Sequence, residues 1–128
     1  MGKKQAVLSS EKLSELVVKG MQEKKAIDIR VLDLRKVNNS VADFFVVCSG
    51  NSDTHLAGIA ESVQEEVYKL TKQYPWNKEG SNNKSWVLLD YVDVVTHIFS
   101  NDSRIFYRIE DLWADAKITE VEDTSVTN

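Results

Sequence analysis

Apolar residues first recur at helical spacing. Leu13, Leu16, Val17, Gly20 and Met21 fall on one face, which predicts a helix over 10–24. Ser9 or Ser10 can cap it, and Glu15 with Lys19 makes an i,i+4 pair of favourable orientation. Ile27-Asp28-Ile29-Arg30-Val31 then alternates as a half-buried strand does. The phase breaks at Leu32-Asp33-Leu34, predicting a bulge or a strand end there. Lys36-Val37-Asn38-Asn39-Ser40 reads as a loop, and Phe44-Phe45-Val46-Val47-Cys48 is continuously apolar. Its β-branched and aromatic content predicts a strand buried on both faces.

The clearest periodic signal follows. Leu56, Ile59, Ala60, Val63, Val67 and Leu70 stand at offsets 0, 3, 4, 7, 11 and 14, the stripe of a long amphipathic helix. Ser52 suits its N-cap and Asp53 the positive end of its dipole. Residues 73–84 form a polar connection that carries the only proline. Two strands, 85–91 and 93–100, almost touch in sequence and so must form an antiparallel hairpin. Asn101-Asp102-Ser103 is a turn, 105–113 holds a further strand or helix, and the acidic stretch 117–128 reads as a frayed, flexible tail. A crossover helix between strands implies a parallel pair, while the hairpin adds antiparallel strands. The expected fold is therefore α/β (α+β): a mixed β-sheet of about five strands with helices packed on it, in one domain over 1–116.

Composition narrows the setting. With 128 residues, one compact core can form without metal or disulfide staples. A single cysteine, Cys48, excludes an internal disulfide and fits a reducing compartment. The net charge of −4 argues against a sequence-independent grip on nucleic acid. No apolar run reaches membrane-spanning length and the N-terminus carries no signal region, so the expected address is the cytoplasm, with no membrane partner.

Candidate chemistry is sparse. Ser49-Gly50-Asn51-Ser52 sits at a strand-to-helix junction, where free amides can hold an anion. Neither a Walker nor a GxGxxG pattern is present, so a capped turn is the simpler reading. Asp90 and Asp93 flank the hairpin turn, and Asp43 and Asp53 bracket the preceding strand; Asp53, Asp90 and Asp93 are the carboxylates a metal-dependent nucleotidyltransferase would use. His55, His97 and Cys48 do not form a spaced zinc set. Trp86, Tyr91, Phe99, Tyr107 and Trp113 crowd the last third of the chain. The hairpin is apolar on both faces. One can lie under helices, and the other needs a partner, a second protomer, the terminal segment or helices of its own.

Three runs then occur in order: Asp43-Phe44-Phe45-Val46-Val47-Cys48-Ser49-Gly50-Asn51-Ser52-Asp53; Glu79-Gly80 with Trp86-Val87-Leu88-Leu89-Asp90-Tyr91 and Asp93-Val94-Val95-Thr96-His97; and Arg104, Phe106-Tyr107, Glu110 and Leu112-Trp113-Ala114-Asp115-Ala116. Together they resemble the signatures of the ribosomal silencing factor family, also called the Iojap family, over about 13–116. The resemblance implies a nucleotidyltransferase-like topology without catalytic residues, no cofactor and no metal. It implies a translational repressor that binds the large ribosomal subunit at its fourteenth protein and sterically blocks the small subunit. Contact with rRNA at the edge stays open, as does monomer against weak homodimer. The expected partner-binding residues are Trp86, Leu88, Asp90, Tyr91, Asp93, His97 and Phe99, with Trp86 and Phe99 as anchors. Where the family often has glycine in the hairpin turn this chain has Val92, and a β-branched residue resists φ > 0, so a bulge or wider turn is expected.

Overall fold

The computed structural model describes residues 8–37, 40–80, 86–101 and 116–122. The predicted element at 105–113, the turn beyond Asn101 and the closing signature 104–115 lie outside the described residues. Among the described residues the chain runs α1 (Ser10–Glu23), β1 (Ile27–Asp33), β2 (Phe44–Gly50), α2 (Asp53–Thr71), β3 (Asn77–Glu79), β4 (Trp86–Asp90), β5 (Val94–Ser100) and β6 (Lys117–Glu120). The strands form one six-stranded mixed sheet in the order β3-β4-β5-β2-β1-β6. The fold is mixed α/β as expected, and β3 and β6 are strands that the hydrophobic pattern did not reveal.

Strand β2 is central and every one of its residues is buried. It pairs antiparallel with β1 and parallel with β5. The parallel pair is what the crossover through α2 requires. Phe44, Val46 and Cys48 face the helices together with Val87, Leu89, Val94 and Ile98, over which Val17, Met21, Ile59, Val63 and Val67 pack. Phe45 and Val47 face the other way, into a second cluster with Leu32, Leu34, Ala42, Val95 and Phe99. At about 1.5–3 kcal/mol per buried aliphatic side chain, these two layers dominate the stability.

The same two-sided burial explains the phase change in β1, which ends at Asp33, the strand end being one of the two outcomes predicted there. Residues 30–33 stay in register with β2, and the irregularity lies earlier, between Ile27 and Arg30. Asp28 there takes φ 55. The phase change at Leu32 marks a switch of core: Ile29 and Val31 pack with the helix-side cluster, Leu32 and Leu34 with the opposite one. Residues 117–120 are not a frayed tail. They form β6, paired with β1 from Arg30↔Glu120 to Asp33↔Lys117. All four side chains are exposed, so backbone pairing makes this strand rather than burial. β3 arises similarly inside the predicted polar connection, against β4.

Ser9 caps α1 and Ser52 caps α2. The two helices cross where Gly20 meets Val63. A Cβ at Gly20 would stand 2.6 Å from the Val63 Cα, so only glycine permits this approach. Ser62 Oγ donates to the Gly20 carbonyl at 2.8 Å across the crossing. Lys19 does not pair with Glu15 as its spacing suggested; it reaches Glu66 of α2 at 3.5 Å, while Lys12 takes Glu15. A hydrogen bond from Lys69, aided by Lys19, holds the buried Glu66 carboxyl below its usual range. Leu70, the last residue of the predicted stripe, is exposed because the final turn of α2 outruns the core.

The β4–β5 turn is tighter than its sequence predicted. Val92 takes φ 77 despite its branched side chain. Asp90 Oδ1 accepts the Val92 N–H at 2.7 Å. The Asp93 N–H donates to the Tyr91 carbonyl at 3.0 Å, and the Tyr91 N–H to the Val94 carbonyl at 2.9 Å. These bonds hold a backbone conformation that costs roughly 1–3 kcal/mol for a non-glycine residue.

Two substitutions test this account by urea denaturation. Gly20→Ala should lose about 2 kcal/mol, the cost of forcing a methyl against helix backbone. Val92→Gly should gain about 1 kcal/mol, relief of strain outweighing the entropy of glycine in the unfolded chain.

Candidate functional site

Alternation along the hairpin puts Trp86, Leu88 and Asp90 of β4 on the face away from α1 and α2, opposite Phe99, His97 and Val95 of β5. Trp86, Leu88 and Asp90 are half-buried. Phe99 and His97 are only 2% and 6% exposed, so they lie beneath the surface and have little area to give a partner. Asp93, in the turn, is exposed. Tyr91 belongs elsewhere: it packs against the helix-side cluster, as its parity with Val87 and Leu89 dictates. Its hydroxyl is buried without a partner among the described residues, and burial pushes the phenol pKa up. The predicted contact set thus divides into an accessible strip (Trp86, Leu88, Asp90, Asp93), its support (His97, Phe99) and one helix-side residue (Tyr91).

The support is a stack of rings. Trp86 and Phe99 are cross-strand partners with centroids 6.3 Å apart and planes 17° apart. His97 lies nearly parallel to both, 6.2 Å from Trp86 and 6.0 Å from Phe99, and Phe45 meets it edge-on at 4.9 Å. Trp86 Nε1 donates to His97 Nδ1 at 3.3 Å, which places the imidazole proton on Nε2. Burial lowers the His97 pKa to about 4, so the ring is neutral at pH 7. Its Nε2 finds no partner among the described residues. It orients Trp86 and has no open side from which to act as a general base.

Trp76 escaped the sequence reading. It is 79% exposed and its N–H donates to the Asp90 carbonyl at 2.7 Å, beside the same hairpin end. A tryptophan in a polar segment, next to the only proline and with Tyr74 alone at strand spacing, was the available signal of an exposed ring.

The carboxylates do not converge. Asp90 and Asp93 flank the start of β5, whereas Asp53 opens α2 beyond the other end of the parallel β2–β5 pair. Seven strand residues, about 20–25 Å, separate the two ends. No group of three His, Cys, Asp or Glu able to hold a metal occurs among the described residues. The strand-to-helix turn is closed internally. The Asn51 N–H donates to His55 Nδ1 at 2.9 Å, His55 Nε2 donates to the Lys24 carbonyl at 2.7 Å, and Ser52 Oγ accepts the His55 N–H at 3.1 Å. Two of the amides an anion would need are therefore engaged, and His55 ties this turn to the end of α1. Cys48 is a buried core thiol.

Comparison with known proteins places the chain among relatives of one family. The family described as "Ribosomal silencing factor during starvation" matches residues 7–128. The Ribosomal silencing factor RsfS of Halalkalibacterium halodurans is 34% identical over 119 residues, covering 90% of this chain and 97% of the relative. The crystal structure of protein CV0518 from Chromobacterium violaceum superposes with a TM-score of 0.78 at 29% identity, covering 91% of this chain and 96% of that one. A mouse relative named "Mitochondrial assembly of ribosomal large subunit protein 1" is 28% identical over 102 residues, 77% of this chain and 44% of its own length.

The depressed pKa of His97 has a thermodynamic signature. Above pH 6.5 neither state protonates the ring; between pH 6.5 and about 4 only the unfolded chain does, so stability falls as pH falls. The wild-type protein should lose about 2.5 kcal/mol more than His97→Phe between pH 7.5 and pH 4.5, measured by urea unfolding at each pH. Equal losses would remove His97 as the source.

Proposed function

The chain belongs to the ribosomal silencing factor family, and we propose that it represses translation by docking its β4–β5 face on the large ribosomal subunit, where its body obstructs the small subunit. The fourteenth large-subunit protein is the contact in this reading. The observation that carries it is the strip of Trp86, Leu88 and Asp90 along β4, with Asp93 and the exposed Trp76 at its Asp90 end. A half-buried tryptophan held by an aromatic stack is a rigid anchor that loses little entropy on binding. Carboxylates at its rim suit a basic ribosomal protein and raise the association rate. The name of the mouse relative points to the same subunit.

Obstruction asks for bulk and charge, and the chain supplies both. A net charge of −4 on the exposed body repels the phosphate backbone of an approaching subunit. Phe99 and His97 stiffen the strip from below, and Tyr91 fixes the turn from the helix side. In this reading the protein acts in the cytoplasm, in keeping with its similarity to the ribosomal silencing factors of bacteria. The reading needs no catalysis, since Asp53 stands far from Asp90 and Asp93. A homodimer through this face would compete with subunit binding.

Sedimentation of purified subunits at fixed Mg²⁺ tests the proposal. Wild-type protein should travel with large subunits and reduce joined ribosomes. Trp86→Ala should weaken that association about 30-fold, as expected for a central anchor. Asp93→Lys should weaken it about tenfold through a slower on-rate. Asp53→Asn, at the far end of the sheet, should leave it unchanged. Retention of full affinity by Trp86→Ala would overturn the anchor assignment.

A further inference from the structure

The outer face of α2 carries a second surface unrelated to the β4–β5 strip. Opposite its buried stripe, Glu61, Glu65 and Tyr68 stand at i, i+4 and i+7, one above another. Beyond the end of the helix the chain turns back and lays Tyr74 on Tyr68, with centroids 4.8 Å apart and planes 28° apart. Tyr68 is 37% exposed and Tyr74 71%. With Gln64 and Lys69 these residues line an open cavity of about 400 Å³.

Among the described residues Glu61 and Glu65 form no ion pair. Two ammonium groups border the cavity: Lys69, which lines it, binds Glu66 at 3.1 Å, and Lys72 Nζ lies 5.4 Å above the Tyr68 ring. The Lys72 contact shows that this aromatic pair already attracts a cation. Two exposed rings beside two free carboxylates one helical turn apart favour a ligand that is flat and positively charged. A guanidinium has both properties: it stacks on tyrosine and takes a carboxylate through paired N–H groups.

We propose that this face binds an arginine-bearing segment of a basic protein, the guanidinium lying on Tyr74 with Glu61 and Glu65 as its counter-charges. The alternatives fit less well. Phosphate of a single-stranded RNA would be repelled by the two carboxylates, although its bases could stack on the rings. A second copy of this chain, paired about a two-fold axis here, would bring the same glutamates towards their own counterparts. A lysine would satisfy the charge but neither stack nor bridge. The inference does not depend on the ribosomal reading, because the geometry of this patch does not involve the β4–β5 face.

Titration calorimetry of the full chain with a nona-arginine peptide tests it, with nona-lysine and an oligouridylate of equal length as competing probes. Nona-arginine should bind at least threefold more tightly than nona-lysine, and oligouridylate should not bind. Tyr74→Ala and the double variant Glu61→Lys/Glu65→Lys should each weaken nona-arginine at least tenfold. Tyr74→Phe should restore binding to within twofold. Glu23→Lys, an exposed charge reversal at the end of α1, should stay within twofold of wild type. These positions are exposed, and circular dichroism of each variant verifies its fold. An equal loss in Glu23→Lys would reduce the effect to diffuse charge attraction and overturn the proposal. So would an unaffected Tyr74→Ala, oligouridylate binding lost in that variant, or a dimer in light scattering that Tyr74→Ala dissolves.

Discussion

Burial of β2 on both faces is the constraint from which the other features follow. A strand with no exposed residue must be covered twice. On one side α1 and α2 provide the cover, and their crossing at Gly20 lets them lie close enough to seal it. On the other, Leu32, Leu34, Val95 and Phe99 surround Phe45 and Val47. That second layer carries the stack of His97, Phe99 and Trp86. The tryptophan stands half-buried beside these packed rings, in register with Phe99. Core and candidate interface are thus successive levels of one assembly.

The sequence disclosed those parts of the fold that hydrophobic periodicity writes down. Helices α1 and α2, the buried β2 and the antiparallel hairpin all carry such a signal, and their bounds were read closely. Strands β3 and β6 carry none. Asn77-Lys78-Glu79 and Lys117-Ile118-Thr119-Glu120 are edge strands made by backbone pairing, and polar side chains say nothing about where a backbone will bond. The phase change at Leu32 was visible but ambiguous, since a bulge, a strand end and a change of core look alike in one dimension, and here the last two coincide. In the candidate site, strand parity separated the two faces correctly. It also held the information that Tyr91 lies with Val87 and Leu89, whereas the depth of Phe99 and His97 depends on packing that a single strand does not record.

Among the described residues, aromatic rings and carboxylates share a surface along the hairpin and again on α2. The overall excess of acid, which by itself argued only against indiscriminate nucleic-acid binding, thereby gains a location. Small carboxylate sets next to rigid rings favour positively charged protein surfaces over phosphate. The strained turn at Val92 belongs to the first of these places. Its bonds to Asp90 and between Tyr91 and Asp93 set where the adjoining carboxylates stand.

The two margins of the sheet differ from its middle in how long they persist. β6 buries none of its side chains, and beyond its backbone ladder to β1 it has an ion pair between Arg30 and Glu120 at 3.6 Å. Each ladder bond contributes only about 0.5–1.5 kcal/mol net, and an exposed pair adds little more. β6 can therefore detach by a local opening far cheaper than global unfolding, while β2 is released only when the whole domain comes apart. Amide protons on this fringe will trade with solvent many times over before those of the central strand do so once.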